Sequence, residues 1–550
     1  MKLISSIFKK NNKLSISSFY LNIILSILFM LVYNLSFASI MYKILSNLEY
    51  IDIAFIISLP FFFFAIFYII FSLLTVKYIE KPLLILIIIF SSITTYYGFF
   101  YNVIFDHEMF VNIFETNTGE ANSYINLSII LWVIVTGLIP AFIIGKLNIT
   151  HFNFKKEALY KLVSIITCAI IVLTIFFSFS KDYLSVKKNN PTLHHHITPI
   201  YFIKSFFKYV KVNYLEPKTK YKILGTDAKI HSSNLPKKNL LVIAVGETAR
   251  RKNHQYNNYN KPTTPYTTTK NIIAFQNVSS CGTATATSVP CMFSRLSRKE
   301  FRRNKAKSED NLMDIISRTD ANVLWIDNDA GCKGVCNKIK HIDVPVSKAN
   351  KHCDGMSCHD EVLVDYLEQE TNKLDSKDSI IVLHLIGSHG PAYYERYPEK
   401  FKKFTPDCQR SDIQNCTNEQ LVNTYDNTIL YTDYVISKLI DTLNTKKNQW
   451  NTGLIYLSDH GESLGENNLY FHGSPYFIAP DEQTKIPMIM WFSDEFYKNN
   501  NIDKRKLQNQ ATTQNYSHDN IFDSVLGLMN VSTEVYNDKL DLFNSARAKG

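Results

Sequence analysis

Charge is missing from long parts of the first third of this 550-residue chain. The runs Leu14–Tyr42, Ile53–Val76, Pro82–Phe105, Ala121–Gly145 and Leu162–Ser180 contain no Asp, Glu, Lys or Arg. A helix of about 20 residues crosses a bilayer, so each run is long enough to span one. A set of buried core helices would have a similar composition, but five such runs within 180 residues exceed what one core needs. A cleavable signal peptide is also disfavoured, because the first run is too long and four more follow it. The lack of charge inside the spans argues against a transport path through them. No internal repeat is evident, and the cysteines lack the repeated C-x2-C spacing of a zinc ribbon. The length exceeds one compact soluble domain. The near-zero mean hydropathy hides an apolar first third and a polar remainder.

Loop charge orients the spans. Lys2, Lys9, Lys10 and Lys13 precede the first, Lys77 and Lys81 follow the second, and Lys146, Lys155 and Lys156 follow the fourth. The alternate loops carry only Lys43 and an acidic stretch with Asp106, Glu108, Glu115 and Glu120. Positive loops stay cytoplasmic, so five spans put everything after Ser180 outside. The cysteines agree. Cys168 sits alone in the fifth span, and the other eight lie after residue 280 as Cys281/Cys291, Cys332/Cys336, Cys353/Cys358 and Cys408/Cys416. An even set in an exported domain reads as disulfides, and sequential pairing is the simplest connectivity.

Residues 181–238 form a linker. Lys204, Lys208 and Lys211 interleave with Phe202, Ile203, Phe206, Phe207 and Val210 at helical spacing, which predicts a basic amphipathic helix on the bilayer surface. His194–His196 read as a solvated loop. From 239 onward, "NLLVIAVGE", "NVLWIDND", "SIIVLHLIG", "TGLIYLSDHGE" and "KIPMIMWF" are near-continuous apolar runs. Such runs suit strands buried on both faces, in a parallel sheet covered by helices. The expected fold is therefore a five-span helical membrane domain (1–180) followed by an exported α/β/α domain (239–550).

Ligands collect at the carboxyl ends of strands in such sheets. Glu247, Asp459-His460 and His389 fall at those ends. Carboxylates plus imidazole make a good zinc site, and catalytic zinc keeps one position open. The stretch "SSCGTATATSVPCMFS" (279–294) fences Thr283, Thr285 and Thr287 between two cysteines. A threonine hydroxyl becomes an effective nucleophile when a metal lowers its pKa. Small alanines leave room for a phosphate, and a helix starting near Thr285 would aim its free N–H groups at it. Spacing leaves all three threonines open.

The segments "VGETARRKNHQYNNYNKPTTP", "SSCGTATATSVPCMFSR", "GCKGVC", "HLIGSHGPAYYERYP" and "LSDHGESLGENNLYFHGSP" resemble the lipid A phosphoethanolamine transferases, with likeness to the branch holding the mobile colistin-resistance enzymes. The resemblance implies an alkaline-phosphatase-like periplasmic domain and one tightly bound zinc held by Glu247, Asp459, His460 and Thr285. It also implies that Thr285, the second threonine of C-G-T-x-T, is the nucleophile. The donor would be phosphatidylethanolamine and the acceptor a lipid A phosphate. The reaction would pass through a phosphothreonine-type intermediate, release diacylglycerol and weaken binding of cationic peptides such as polymyxin. His389, His472 and Lys333 match substrate-side residues of the family. So do Asn112, Thr116 and Glu120, spaced i, i+4 and i+8 as on one helical face. Asp329 stands where the colistin-resistance relatives carry an amide, and a carboxylate there could recruit a second zinc. The expected setting is the inner membrane of a Gram-negative bacterium, with a monomeric chain and no nucleic-acid partner. The rivals are a transferase acting on Kdo or heptose and a lipoteichoic-type glycerol-phosphate transferase. A non-catalytic sensor fits poorly with an intact nucleophile and ligand set.

Overall fold

The computed structural model describes residues 15–47, 52–116, 118–190, 192–216, 220–231 and 237–547. Lys2, Lys9, Lys10 and Lys13, which orient the first span, lie outside the described residues. Contacts divide the chain into two compact units, 1–106 with 125–207, and 107–124 with 208–550.

The first unit is built from apolar helices. They are α1 (Ser18–Tyr33), α2 (Leu35–Ser46), α3 (Ile53–Leu74) and α4 (Glu80–Tyr101). Two short helices of the other unit follow, α5 (His107–Glu115) and α6 (Thr118–Ser123). The first unit then resumes with α7 (Leu127–Lys146) and α8 (Phe154–Ser178). Among the described residues four helices are long and apolar enough to cross a membrane, five if the bent pair α1 and α2 counts as one span. The first predicted span is thus not straight: its halves meet at 61°. Asn34 is the cause. It leaves helical geometry (φ −114°, ψ 26°), donates from Nδ2 to Phe29 O (2.9 Å) and Thr198 O (2.7 Å), and accepts from Thr198 N (3.0 Å). Side-chain caps fix the starts of α3 and α8: Asp52 accepts from Ala54 N (2.8 Å) and Asn153 from Lys156 N (3.0 Å). The Asn153 cap starts α8 before the charge-free run, so Lys155 and Lys156 lie within the helix. The predicted amphipathic helix forms as α9 (Ile200–Val210), with Phe202 buried and Phe207 exposed.

The second unit is organised by a sheet. Its strands are β1 (Lys238–Gly246), β2 (Ile273–Ser279), β3 (Asn322–Asp327), β4 (Lys340–Asp343), β5 (Ser379–His384), β6 (Trp450–Ser458), β7 (Lys485–Phe492) and β8 (Asn515–Ser517). The order across the sheet is β8-β2-β7-β6-β1-β5-β3-β4. Side chains alternate between faces. Leu241, Ile243 and Val245 enter one core cluster, while Leu240, Val242 and Ala244 enter the other. Both faces are covered, which is why these strands read as continuous apolar runs. Each fully buried Leu, Ile or Val contributes about 1.5–3 kcal/mol. One helix covering the second face is α12 (Asn418–Thr445), begun by a Thr417/Gln420 capping box; between β2 and it lie α10 (Thr285–Met292) and α11 (Arg303–Ala306).

The expectation of a parallel sheet needs correction. β7 runs antiparallel to both β6 and β2. It follows β6 through a loop on one edge of the sheet, without the crossover helix that a parallel return requires. The strand β2 escapes a sequence reading because Gln276 and Asn277 interrupt its apolar pattern.

Cys281–Cys291, Cys332–Cys336, Cys353–Cys358 and Cys408–Cys416 are bonded, and Cys168 is free and buried. Non-reducing peptide mapping should therefore find four linked pairs and one thiol. Replacing Cys408 and Cys416 by serine should destabilise the second unit by about 2–3 kcal/mol through the freed loop. An unchanged melting midpoint would contradict this.

Candidate active site

Seven of the eight strands, all but β7, deliver their carboxyl ends to one edge of the sheet. β1 and β6 are parallel neighbours, and their register pairs Gly246 with Ser458. Glu247 and Asp459 therefore leave the sheet side by side. Both are fully buried, as is His460. Asp459 N donates to Gly246 O (2.8 Å), tying the two strand ends together.

The two oxygens of the Asp459 carboxylate differ. Oδ1 accepts from Thr248 N (3.2 Å) and from His460 N (2.6 Å). Oδ2 is buried and accepts no hydrogen bond. It lies 3.2 Å from His460 Nε2, and Glu247 Oε1 lies 3.6 Å from the same nitrogen. His460 Nδ1 sits 3.0 Å from Gly461 O, an acceptor, so Nδ1 carries the proton and Nε2 presents its lone pair to the carboxylates. Burial, reinforced by His472, holds the His460 pKa well below its ordinary value, which keeps the ring neutral. Ligand atoms of Glu247, Asp459 and His460 all fall within 4.8 Å of one another. Two buried carboxylates around a neutral imidazole cost several kcal/mol per ion without a cation. The donor set of two oxygens and one nitrogen suits a zinc-like ion, and it points inward with the correct tautomer.

Thr285 opens α10 beside this cluster. Its Oγ1 donates to Glu247 Oε2 (3.1 Å) and lies 3.3 Å from His460 Nε2. Thr283 faces elsewhere. Its hydroxyl donates to Ser474 O (2.6 Å), while Gly473 N donates to Thr283 O (2.7 Å). The geometry thus distinguishes hydroxyls that spacing left equivalent. The alternation 283–287 is a turn running into a helix, with Ala284 extended at φ −151° as the residue before the first turn. Thr287 N and Ser288 N donate to Ala284 O (3.0 and 2.8 Å), while the N–H groups of Thr285 and Ala286 at the start of the helix have no intrahelical acceptor, which suits an anion.

His472 stands next to the cluster, its ring centroid 4.5 Å from that of His460 and 6.0 Å from that of His389. Glu462 orients it: Oε2 lies 2.8 Å from His472 Nδ1, and Oε1 accepts from Tyr393 OH (2.5 Å). Sequence reasoning missed Glu462 and Tyr393, although Glu462 stands two residues beyond His460 in "SDHGES". It also missed His518, whose Nδ1 accepts from Cys281 N (3.1 Å) and whose Nε2 lies 3.0 Å from Ser458 O. No local pattern around His518 signals that role.

Two glycines permit close approaches. A Cβ at Gly387 (φ +49°) would lie 2.7 Å from Glu247 O, so the loop carrying His389 can cross the backbone of Glu247. A Cβ at Gly473 (φ +83°) would lie 3.3 Å from Met109 Cε and 3.9 Å from Asn112 Nδ2, so Asn112 stands by the His472 loop. Thr116 closes that helix: its amide makes the i→i−4 bond to Asn112 O (2.8 Å) and its hydroxyl bonds the same oxygen (2.7 Å), which keeps Asn112 and Thr116 one turn apart as predicted. Glu120 belongs to the separate helix α6, so the single face predicted for Asn112, Thr116 and Glu120 does not run on through all three. The Glu120 side chain lies outside the described residues. Lys333 lines a different cavity, together with Pro290 and Ser294 at the other end of α10.

Asp329 forms a second group with Glu247 and His384. His384 Nδ1 lies 2.9 Å from Asp327 Oδ2, which also accepts from Trp325 Nε1 (2.9 Å), and His384 Nε2 lies 3.8 Å from Asp329 Oδ2. Burial alone would lower the His384 pKa, but Asp327 and then Asp329 outweigh it and raise it to about 9.

Comparison with known proteins agrees with this geometry. Residues 238–531 match the sulfatase family model, and residues 63–214 match that of the phosphoethanolamine transferases EptA/EptB. The chain is 39% identical to phosphoethanolamine transferase EptA of Escherichia coli strain K12 over 494 residues, 89% of this chain and 90% of that one. It is 32% identical to phosphatidylethanolamine transferase Mcr-1 from Escherichia coli, covering 84% and 86%. Among solved structures it is similar to the integral membrane lipooligosaccharide phosphoethanolamine transferase A of Neisseria meningitidis, with a TM-score of 0.92, 35% identity, and 97% and 100% coverage. The chain belongs to the phosphoethanolamine transferases, membrane-spanning phosphotransferases whose catalytic domain has the alkaline-phosphatase/sulfatase fold.

Proposed function

We propose that this enzyme moves phosphoethanolamine from phosphatidylethanolamine to a phosphate of lipid A in the inner membrane of a Gram-negative bacterium, its catalytic domain facing the periplasm. The observation that carries the reading is the Thr285 hydroxyl, 3.1 Å from Glu247 Oε2 and 3.3 Å from His460 Nε2 at the mouth of a buried carboxylate pair. The Neisseria structure, named for lipooligosaccharide, supports the acceptor class.

Glu247, Asp459, His460 and Thr285 would hold one zinc ion, which when bound lowers the hydroxyl pKa and offsets phosphoryl charge. In the first half-reaction Thr285 Oγ1 forms a bond to phosphorus, and the bond from phosphorus to the glyceride oxygen breaks. The hydroxyl proton leaves through Glu247, the carboxylate it already touches. The glyceride oxygen needs a proton as it departs, and His472 is the nearby donor. Glu462 fixes its tautomer at Nδ1, which leaves Nε2 to exchange the proton. In the second half-reaction a lipid A phosphate oxygen bonds to phosphorus and Thr285 Oγ1 leaves. Splitting the transfer in this way is the ordinary use of covalent catalysis. Masking a lipid phosphate in this manner removes charge that cationic peptides need.

Mass spectrometry of lipid A from cells expressing the enzyme should show one added phosphoethanolamine unit, absent with Thr285→Ala. The variant should turn over at least on the order of 10³-fold more slowly. Equal modification by the variant would sink the nucleophile assignment. Addition to core sugars alone would move the acceptor to Kdo or heptose.

Glu247→Ala and Asp459→Ala should each lose most of the bound zinc by elemental analysis, at unchanged secondary structure. Retention of wild-type zinc would count against the ligand set. Glu462→Gln should slow diacylglycerol release about 10²-fold and move the pH–rate profile, since it removes the group that orients His472. An unmoved profile would remove His472 from proton transfer.

A further inference from the structure

A cavity at the far end of α10 carries more positive charge than its surroundings neutralise. Ser294, Arg303, Lys307, Asp310, Asn311 and Lys333 line it, and its volume is about 40 Å³, room for roughly three oxygens. Arg303 is the unusual member. Its side chain is 11% exposed, and Nη2 pairs with the Glu115 carboxylate. Its Nε and Nη1 are buried and have no hydrogen-bond partner. Buried donors left unmet are destabilising, and more so when charged. Lys307 follows Arg303 by one helical turn, on the same face. Burial and then the like charge of Arg303 hold its ammonium below the usual range. Lys333, at φ +52°, adds a third cation on the other wall.

The acid on the wall does not balance them. Asp310 already accepts from Tyr221 OH (2.6 Å), Lys338 Nζ (2.7 Å), Leu224 N (3.0 Å) and Arg318. Burial would raise its pKa, yet these bonds carry it down to about 2, so its charge is already neutralised by Lys338 and Arg318. Unpartnered guanidinium donors on a cavity that also holds Lys307, and Lys333 with its Nζ donating to Ala330 O (2.8 Å), are suited to a tetrahedral dianion.

We infer that this cavity binds a phosphate monoester, and that the occupant is the second phosphate of the acceptor lipid, the one not undergoing modification. The inference rests on the acceptor proposed above. The reacting phosphorus must meet Thr285, whereas Pro290, on the cavity wall, lies five residues along α10, about 7–8 Å of helix away. A phosphate here is therefore held apart from the chemistry, tethered to the reacting one through the sugar between them. Arg303 and Lys307 would then act as specificity residues, favouring acceptors with two phosphates.

The test uses the full chain in detergent micelles with Thr285→Ala to prevent turnover, and compares binding of bis-phosphorylated and mono-phosphorylated lipid A. Arg303→Gln and Lys307→Gln should each weaken the bis-phosphorylated lipid about tenfold and leave the mono-phosphorylated one unchanged. In the Thr285 enzyme, both substitutions should leave diacylglycerol release from phosphatidylethanolamine at the wild-type rate. Lys307→Gln keeps the Arg303–Glu115 pair, so it separates binding from folding. Equal weakening of both lipids, or of neither, overturns the proposal. If the unsubstituted protein binds neither lipid, the acceptor reading itself fails, and inorganic phosphate decides for the cavity. A phosphate-dependent rise in melting temperature that Arg303→Gln abolishes supports the anion site, and no such difference overturns it.

Discussion

The register between β1 and β6 puts Glu247 and Asp459 at the same level of the same edge, with both side chains out of water. Like charges so placed repel strongly in a low-dielectric setting. Everything around them restrains that repulsion until a cation neutralises it. Two backbone amides take one Asp459 oxygen, and Gly461 O holds the proton of His460 away from the carboxylates. Thr248, a β-branched residue at φ +51°, is kept in that left-handed conformation by Tyr425, whose hydroxyl donates to Thr248 O (2.6 Å) and accepts from Arg250 N (2.9 Å). The strained turn is what aims the Thr248 amide at Asp459.

Much of this is legible in the sequence. Strands buried on both faces announce themselves as unbroken Val, Ile and Leu, and the residues that follow them are polar because they leave the core. Glu247, Asp459 and His460 stand out in this way, and family resemblance then chooses Thr285. What stays hidden depends on relations between distant segments. The antiparallel course of β7 follows from the loop before it, not from its own residues. The helix read through Asn112 and Glu120 closes with Thr116, whose amide and hydroxyl both bond Asn112 O, and a second helix starts at Thr118, a break that spacing does not reveal. His518 comes from the other end of the chain to support Cys281, and only the folded sheet brings them together. Glu462 is visible in its motif, but the sequence gives no sign that it orients His472, which reads there as a substrate contact alone.

The threonine-rich loop shows how similar side chains acquire separate duties from position. Thr285 faces the carboxylates, Thr283 bonds to Ser474 O, and Ser288, one turn on, donates to Asp459 O (2.5 Å). The Cys281–Cys291 bond closes the same segment. These attachments leave the loop little freedom. The cation-rich cavity beyond it differs in kind. There the chain leaves guanidinium donors unmet, where beside Thr285 it leaves a carboxylate acceptor, Asp459 Oδ2, without a hydrogen bond.

The bonds between Thr283 and the 473–474 turn join the nucleophile loop to the segment that bears His472. The oxygen proposed to attack and the proposed proton donor are thereby mounted on one mechanical piece. A force on either is felt by both, so their spacing is set during folding and not by the arriving lipid. An enzyme of this construction works as a template for its donor. Variation in the partner it accepts must then come from surfaces outside that piece, which can change over evolutionary time without disturbing the first chemical step.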